Sequence, residues 1–107
     1  MAQKMMTKAI LDKIPAIYAT ENQSNTERKA YVKFFNPMGA QSWYGIEYNP
    51  ETREFFGYVT GSFENEFGYF SLDELEDLRL PMGLRIERDI HFTPTPVADI
   101  VLGKVLH

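Results

Sequence analysis

The sequence predicts an α+β fold: one domain over residues 1–107, an antiparallel sheet of about four or five strands with two or three short helices packed on it. Three observations carry this. Strand-length runs of aromatic and β-branched residues recur along the chain, and eight Phe, six Tyr and one Trp are many rings for its length. Two of those runs are joined by Asn49-Pro50-Glu51-Thr52, where Asn first and Pro second fit a type I turn and so an antiparallel hairpin. The helical signals are short, giving the order helix, three strands, short strand, helix, strand, helix.

Thr7 caps the first helix, whose apolar positions are Ile10, Leu11 and Ile14; Pro15 ends or kinks it, and Ile17 and Tyr18 continue the apolar line. Residues 21–29 are wholly polar and read as a mobile loop. Tyr31 to Phe35 is a strand, and Gln41 to Tyr48 with Arg53 to Thr60 form the hairpin. With Asn49 opposite Thr52, Ile46 faces Phe55, Tyr44 faces Gly57, Gly45 faces Phe56, Trp43 faces Tyr58 and Glu47 faces Glu54. Each strand glycine then opposes a ring that shields bare backbone. Two opposed carboxylates need water, so Tyr44, Ile46, Phe55 and Val59 make the core face, and the Trp43, Phe56 and Tyr58 side is partly wet at its turn end. A one-residue slip exchanges those faces.

Phe67 to Phe70 is a short strand. Ser71 with Glu74 forms a capping box for a helix with Leu72, Leu75 and Leu78 as its buried stripe. Asp73 and Glu74 suit its positive end, Arg79 suits its last turn, and Pro81 with Gly83 stops it. Ile86 to Phe92 alternates: Ile86, Arg88, Ile90 and Phe92 share one side, and Glu87, Asp89 and His91 the other. Thr95 caps a final helix with Pro96 as its first residue. Residues 97–106 are apolar nearly all round, so that helix is buried within the chain or pairs two copies as a homodimer.

The chain has no Cys, which removes disulfides and thiolate metal sites and fits a cytoplasmic setting. Its first 18 residues hold no continuous apolar stretch, so neither a signal peptide nor a membrane span is expected, and no membrane partner. The net charge of −4 is uneven: residues 1–33 carry six basic and three acidic groups, and the remainder five basic and twelve acidic. From Glu47 to Asp77 nine carboxylates face one base, Arg53. Such a surface repels a phosphate backbone and disfavours nucleic acid as a partner.

The sharpest chemical constellation is Glu87, Asp89 and His91. Spacing of two on a strand aims all three at one side, as a divalent metal site needs, although an ordinary polar strand face looks the same. Arg88, on the apolar side, is either a partner-binding arginine or a stem packed on the core with its head paired. Trp43, Phe56 and Tyr58 offer a stacking platform for bases, or else a second core layer beneath a helix; Glu47 and Glu54 flank them, and Arg28, Lys29 and Lys33 are the bases within reach. Asp73, Glu74, Glu76 and Asp77 face solvent on a short helix. No Gly-x-Ser-x-Gly turn and no Gly-Lys-Ser/Thr phosphate loop is present, so neither a catalytic arrangement nor a cofactor is indicated.

The segments GYFSLDELEDL (68–78), PMGLRIERDIHF (81–92) and TPTP (93–96), with KIPAIYATE, YVKFF, WYGIEY and FFGYVTG upstream, resemble a small bacterial family of unassigned function found on plasmids, phages and conjugative elements. The resemblance implies a genetic setting and carries over no catalytic residues. Together these readings point to a non-catalytic binding or regulatory protein of a mobile genetic element. It would meet an unidentified protein partner through an acidic surface, with Glu47, Glu54, Asp73, Glu74, Asp77, Trp43, Phe56, Tyr58 and Arg88 as the contact candidates. The alternatives are a nucleic-acid accessory domain and a metal-assisted hydrolase using Glu87, Asp89 and His91.

Overall fold

The computed structural model describes residues 4–61 and 64–103. In chain order its elements are α1 (Lys8–Lys13), β1 (Lys29–Ala30), β2 (Val32–Phe35), β3 (Ser42–Asn49), β4 (Glu54–Thr60), β5 (Glu66–Ser71), α2 (Leu72–Asp77), β6 (Glu87–Arg88), β7 (Thr95–Pro96) and α3 (Val97–Val101). Five strands form one antiparallel sheet in the order β5-β4-β3-β2-β6, and β1 pairs with β7 in a two-stranded ladder. This is the α+β class that the ring-rich strands and short capped helices predict.

Both faces of the sheet are covered. On one, Val32, Phe34, Trp43, Tyr48 and Phe55 pack against Met5, Leu72, Leu75 and Ile86. On the other, Tyr44, Ile46 and Tyr58 pack against Ala30, Val97 and Ile100. Burying each of the larger side chains stabilises the fold by about 1.5–3 kcal/mol. Phe55 joins three rings, Phe34, Tyr48 and Phe70, with centroids 4.5–5.6 Å apart.

The hairpin forms between the expected strands, but its register differs. The Asn49 side chain accepts from the Glu51 N–H at 2.9 Å, and Arg53, at φ 57°, donates its N–H to the Asn49 carbonyl at 2.8 Å. Four residues therefore close the turn, and Asn49 pairs with Glu54 rather than Thr52. A bulge between Gly45 and Glu47 then shifts the ladder, so that Trp43 faces Val59 and Tyr44 faces Tyr58. The expected core face is thus divided: Tyr44 and Ile46 join one layer, Phe55 and Val59 the other. Glycines face glycines instead of rings, Gly45 against Gly57 and Gly57 against Gly68. The rings cover them diagonally. A Cβ on Gly45 would stand 2.8 Å from the Phe55 ring, and one on Gly57 would stand 1.9 Å from the Tyr44 carbonyl oxygen and 2.9 Å from the Phe70 ring.

Four further expectations change. The polar segment 21–29 is pinned to α3, because the Arg28 and Asn25 carbonyls accept from the Val97 and Ala98 N–H groups at 3.0 and 2.8 Å. Helix α2 ends with Leu78 as its exposed cap, so its stripe is Leu72 and Leu75; the Arg79 and Arg85 guanidiniums donate to the Glu76 carbonyl and cover its C-terminal end. The strand expected over 86–92 pairs only at Glu87 and Arg88, because Asp89 accepts the His91 N–H at 2.9 Å and turns the chain, leaving Ile90 exposed. Thr95 and Pro96 pair with β1, which makes Pro96 the cap and not the first residue of α3. Val97 and Ile100 are buried within this chain; the far end of the expected 97–106 helix, residues 104–107, lies outside the described residues.

Candidate functional site

Chemistry at the surface gathers along β5. This strand has β4 on one side and, among the described residues, no strand on the other. The Leu72 N–H donates to the Arg53 carbonyl at 2.9 Å, and antiparallel alternation from that bond sends the Phe70, Gly68 and Glu66 backbone groups toward β4. The N–H and C=O groups of Phe67 and Tyr69 therefore face the open edge. The strand holds neither Lys nor Pro, the residues that usually blunt such an edge.

Rings line the same edge. Phe67 and Tyr69 are 37% and 51% exposed, and both lean on the half-buried Phe56, with centroids 6.2 and 5.3 Å away. The Arg28 guanidinium lies 5.1 Å from the Phe67 ring centre and 5.6 Å from that of Phe56, within cation–π range. A hydrogen bond with Tyr18, then slight burial and the charges of Glu47 and Glu54, raise the Tyr69 phenol above its ordinary pKa. On β4, β5, α2 and the loops beside them Glu51, Glu54, Glu64, Glu66, Asp73, Glu74 and Asp77 are all exposed. Arg53 bridges Asp73 and Glu76, neutralising part of the α2 end.

The structure redistributes the residues singled out from sequence. Glu54 on β4 and Asp73, Glu74 and Asp77 on α2 stand in solvent. Glu47 does not: it is 3% exposed and accepts from the Tyr18 N–H and the Thr20 N–H, each at 2.9 Å, and from the Thr20 hydroxyl. It anchors the chain after α1 and is closed to a partner. Trp43 and Tyr58 are buried in opposite core layers, so the three-ring platform does not exist; the exposed rings are Phe67 and Tyr69 with Phe56. Arg88 donates to the Lys4 carbonyl at 3.0 Å and ties down the N-terminal segment. Asp89 turns toward Lys33, with 4.0 Å between the charged atoms, and His91 lies beyond the turn; among the described residues no three His, Cys, Asp or Glu side chains gather as a metal site would need. Sequence alone does not single out Phe67 and Tyr69: their alternation beside Glu66 is legible, but their edge position is not.

A sheet buried on both faces, with an acidic, ring-lined strand at one of its two edges, defines a small α+β protein with an edge strand open to contacts. A family model described as "Protein of unknown function (DUF2958)" matches residues 5–100, and the chain belongs to that family. Neither the curated proteins nor the solved structures give a significant match. Among the described residues no helix is long and apolar enough to cross a membrane.

Proposed function

We propose that this chain is a non-catalytic binding or regulatory protein of a mobile genetic element, and that it holds a basic, extended segment of a protein partner against the β5 edge. The observation that carries the reading is the pair of unpaired backbone positions, Phe67 and Tyr69, flanked by exposed carboxylates. Strand addition there supplies four backbone groups for hydrogen bonding, with rings for alternate side chains. Charge selects the occupant. A second copy would bring the same seven carboxylates against each other, whereas lysines on the incoming strand meet Glu54, Glu66 and Glu74.

The test uses a labelled ten-residue peptide alternating Lys with Thr, titrated by fluorescence anisotropy, with a Glu/Thr peptide as control. Binding of the basic peptide alone, weakening as salt rises, together with slowed hydrogen exchange at the Phe67 and Tyr69 amides, supports the reading. Reversing Glu54, Glu66 and Glu74 to Lys should abolish binding while leaving thermal unfolding in place. Undiminished binding by that variant, or protection away from β5, sinks the proposal. A second reading, a nucleic-acid accessory domain, draws on Arg28 stacked over Phe56 and Phe67. Labelled single-stranded DNA at low salt separates the two, since electrostatic attraction is strongest there; saturable DNA binding favours the second reading over the first.

A further inference from the structure

Away from β5, the sheet carries a buried charge pair under a cavity. Lys33 of β2 pairs with Tyr44 of β3, and the Asp89 N–H donates to the Lys33 carbonyl at 2.9 Å, so one row of the sheet reads Tyr44, Lys33, Asp89. The Lys33 side chain is only 3% exposed. Its ammonium lies 4.0 Å from the Asp89 carboxylate and 5.6 Å from the centre of the Tyr44 ring. Burial holds Lys33 below the ordinary lysine range, and Asp89 opposes that shift. A cavity of about 500 Å³ opens here, bounded by Lys33, Phe35, Ser42, Asp89 and the loop 36–41. Its loop is preformed: the Asn36 side chain accepts from the Met38 N–H at 2.8 Å, and the Asn36 N–H donates to the Gln41 carbonyl at 3.0 Å. The size falls within the range of small-molecule sites.

We propose that this cavity binds a free apolar α-amino acid, its carboxylate on the Lys33 ammonium, its ammonium on Asp89, and its side chain against Phe35 and Ala40. Charge order is the argument. A simple anion drawn to Lys33 also meets Asp89, and a simple cation drawn to Asp89 also meets Lys33. A zwitterion whose two charges flank one carbon satisfies both, in surroundings where burial strengthens each contact. A dianion is disfavoured further by Glu87, which pairs opposite Phe35 on the same side of the sheet. Asp89 spends one oxygen on the His91 N–H and keeps lone pairs for an ammonium.

Calorimetric titration of the full chain with L-leucine and L-phenylalanine tests this, beside leucinamide, which lacks the carboxylate, N-acetyl-leucine, which lacks the ammonium, and inorganic phosphate. The expected result is saturable binding of at least one free amino acid, at least about tenfold tighter than either derivative, a difference of about 1.4 kcal/mol. Lys33→Met and Asp89→Asn should each remove it. Should those variants unfold, amide hydrogen exchange of the wild type reads the same site: the bound amino acid slows exchange across residues 36–42 and leaves that of β5 unchanged. No saturation by either amino acid at millimolar concentration, equal binding of a blocked derivative, or preference for phosphate overturns the proposal.

Discussion

At the residue scale, the least replaceable side chain is one that looked like a surface acid. Glu47 lies within the run of nine carboxylates, yet it is buried and receives two backbone N–H groups and a hydroxyl from Tyr18 and Thr20. Those bonds hold a bend in which Tyr18 sits at φ 72°, a conformation that non-glycine residues seldom adopt. Glu47→Ala leaves three donors in a closed site and should cost about 3 kcal/mol, while Glu47→Gln, which keeps one oxygen, should cost about 1–2 kcal/mol. Urea unfolding measures both, and Glu54→Gln, on an exposed neighbour, should change stability by less than about 0.5 kcal/mol. Gly57 is irreplaceable for a different reason. A methyl there meets the Tyr44 carbonyl at 1.9 Å, which is backbone and cannot step aside, whereas the space over Gly68 is open. Gly57→Ala should therefore destabilise by about 3 kcal/mol or prevent folding, and Gly68→Ala should be neutral or mildly stabilising. Equal effects of the two alanines in thermal unfolding would contradict the glycine row.

At the scale of elements, the edge reading makes its own prediction. Proline is tolerated on an edge strand where its missing N–H faces outward. Tyr69→Pro should leave the β4–β5 ladder intact but remove one outward donor, weakening the Lys/Thr peptide by about tenfold; Tyr69→Phe, which keeps the backbone group, should bind like the wild type. A loss of peptide binding equal in both variants would mean that the phenol, not the edge, makes the contact. How legible these elements were follows from the range of the signals that specify them. Strand positions and the Ser71 cap rest on local chemistry, and the Ser71 hydroxyl does accept from the Glu74 N–H at 3.3 Å, whereas the helix ends at Leu78, ahead of the expected Pro81/Gly83 stop. Register rests on non-local balance. Asn49-Pro50 marks a turn correctly, but Arg53 adopts a left-handed conformation that its identity does not announce, and the Ile46 bulge answers packing on both faces. The resulting slip separated Trp43 from Tyr58 and hid Glu47. The open edge of β5 depends on strand order, which no local pattern encodes.

At the scale of the whole molecule, the chain resolves its uneven charge by geometry. The more basic first third supplies Lys33 to the interior and Arg28 to the ring patch, while the acids of β4, β5 and α2 remain exposed. This arrangement fixes how stability responds to alkali. Lys33 loses its proton more readily in the folded chain than at its ordinary value of 10.5, because burial disfavours the charge and Asp89 only partly restores it. Between the folded pKa and 10.5 the unfolded chain binds more protons, so this group makes stability rise with pH across that window; below it, the full cost of burying the ammonium is present. Tyr44 acts oppositely. Burial, against a hydrogen bond with Ser42 and aided by Asp89, holds its phenol above 10.0, so beyond that pH the folded chain keeps a proton that the unfolded chain loses, and stability falls. The wild type should accordingly pass through a stability maximum on the alkaline side. Lys33→Met should remove the rising limb and leave the fall, and Tyr44→Phe should leave the rise and make the fall shallower, keeping the part that the raised Tyr69 phenol contributes. Urea midpoints taken from about pH 8 to about pH 11 resolve the two limbs. A Lys33→Met profile parallel to that of the wild type would show that the lysine ionises as though exposed, and would take with it the buried charge pair on which the amino-acid site depends.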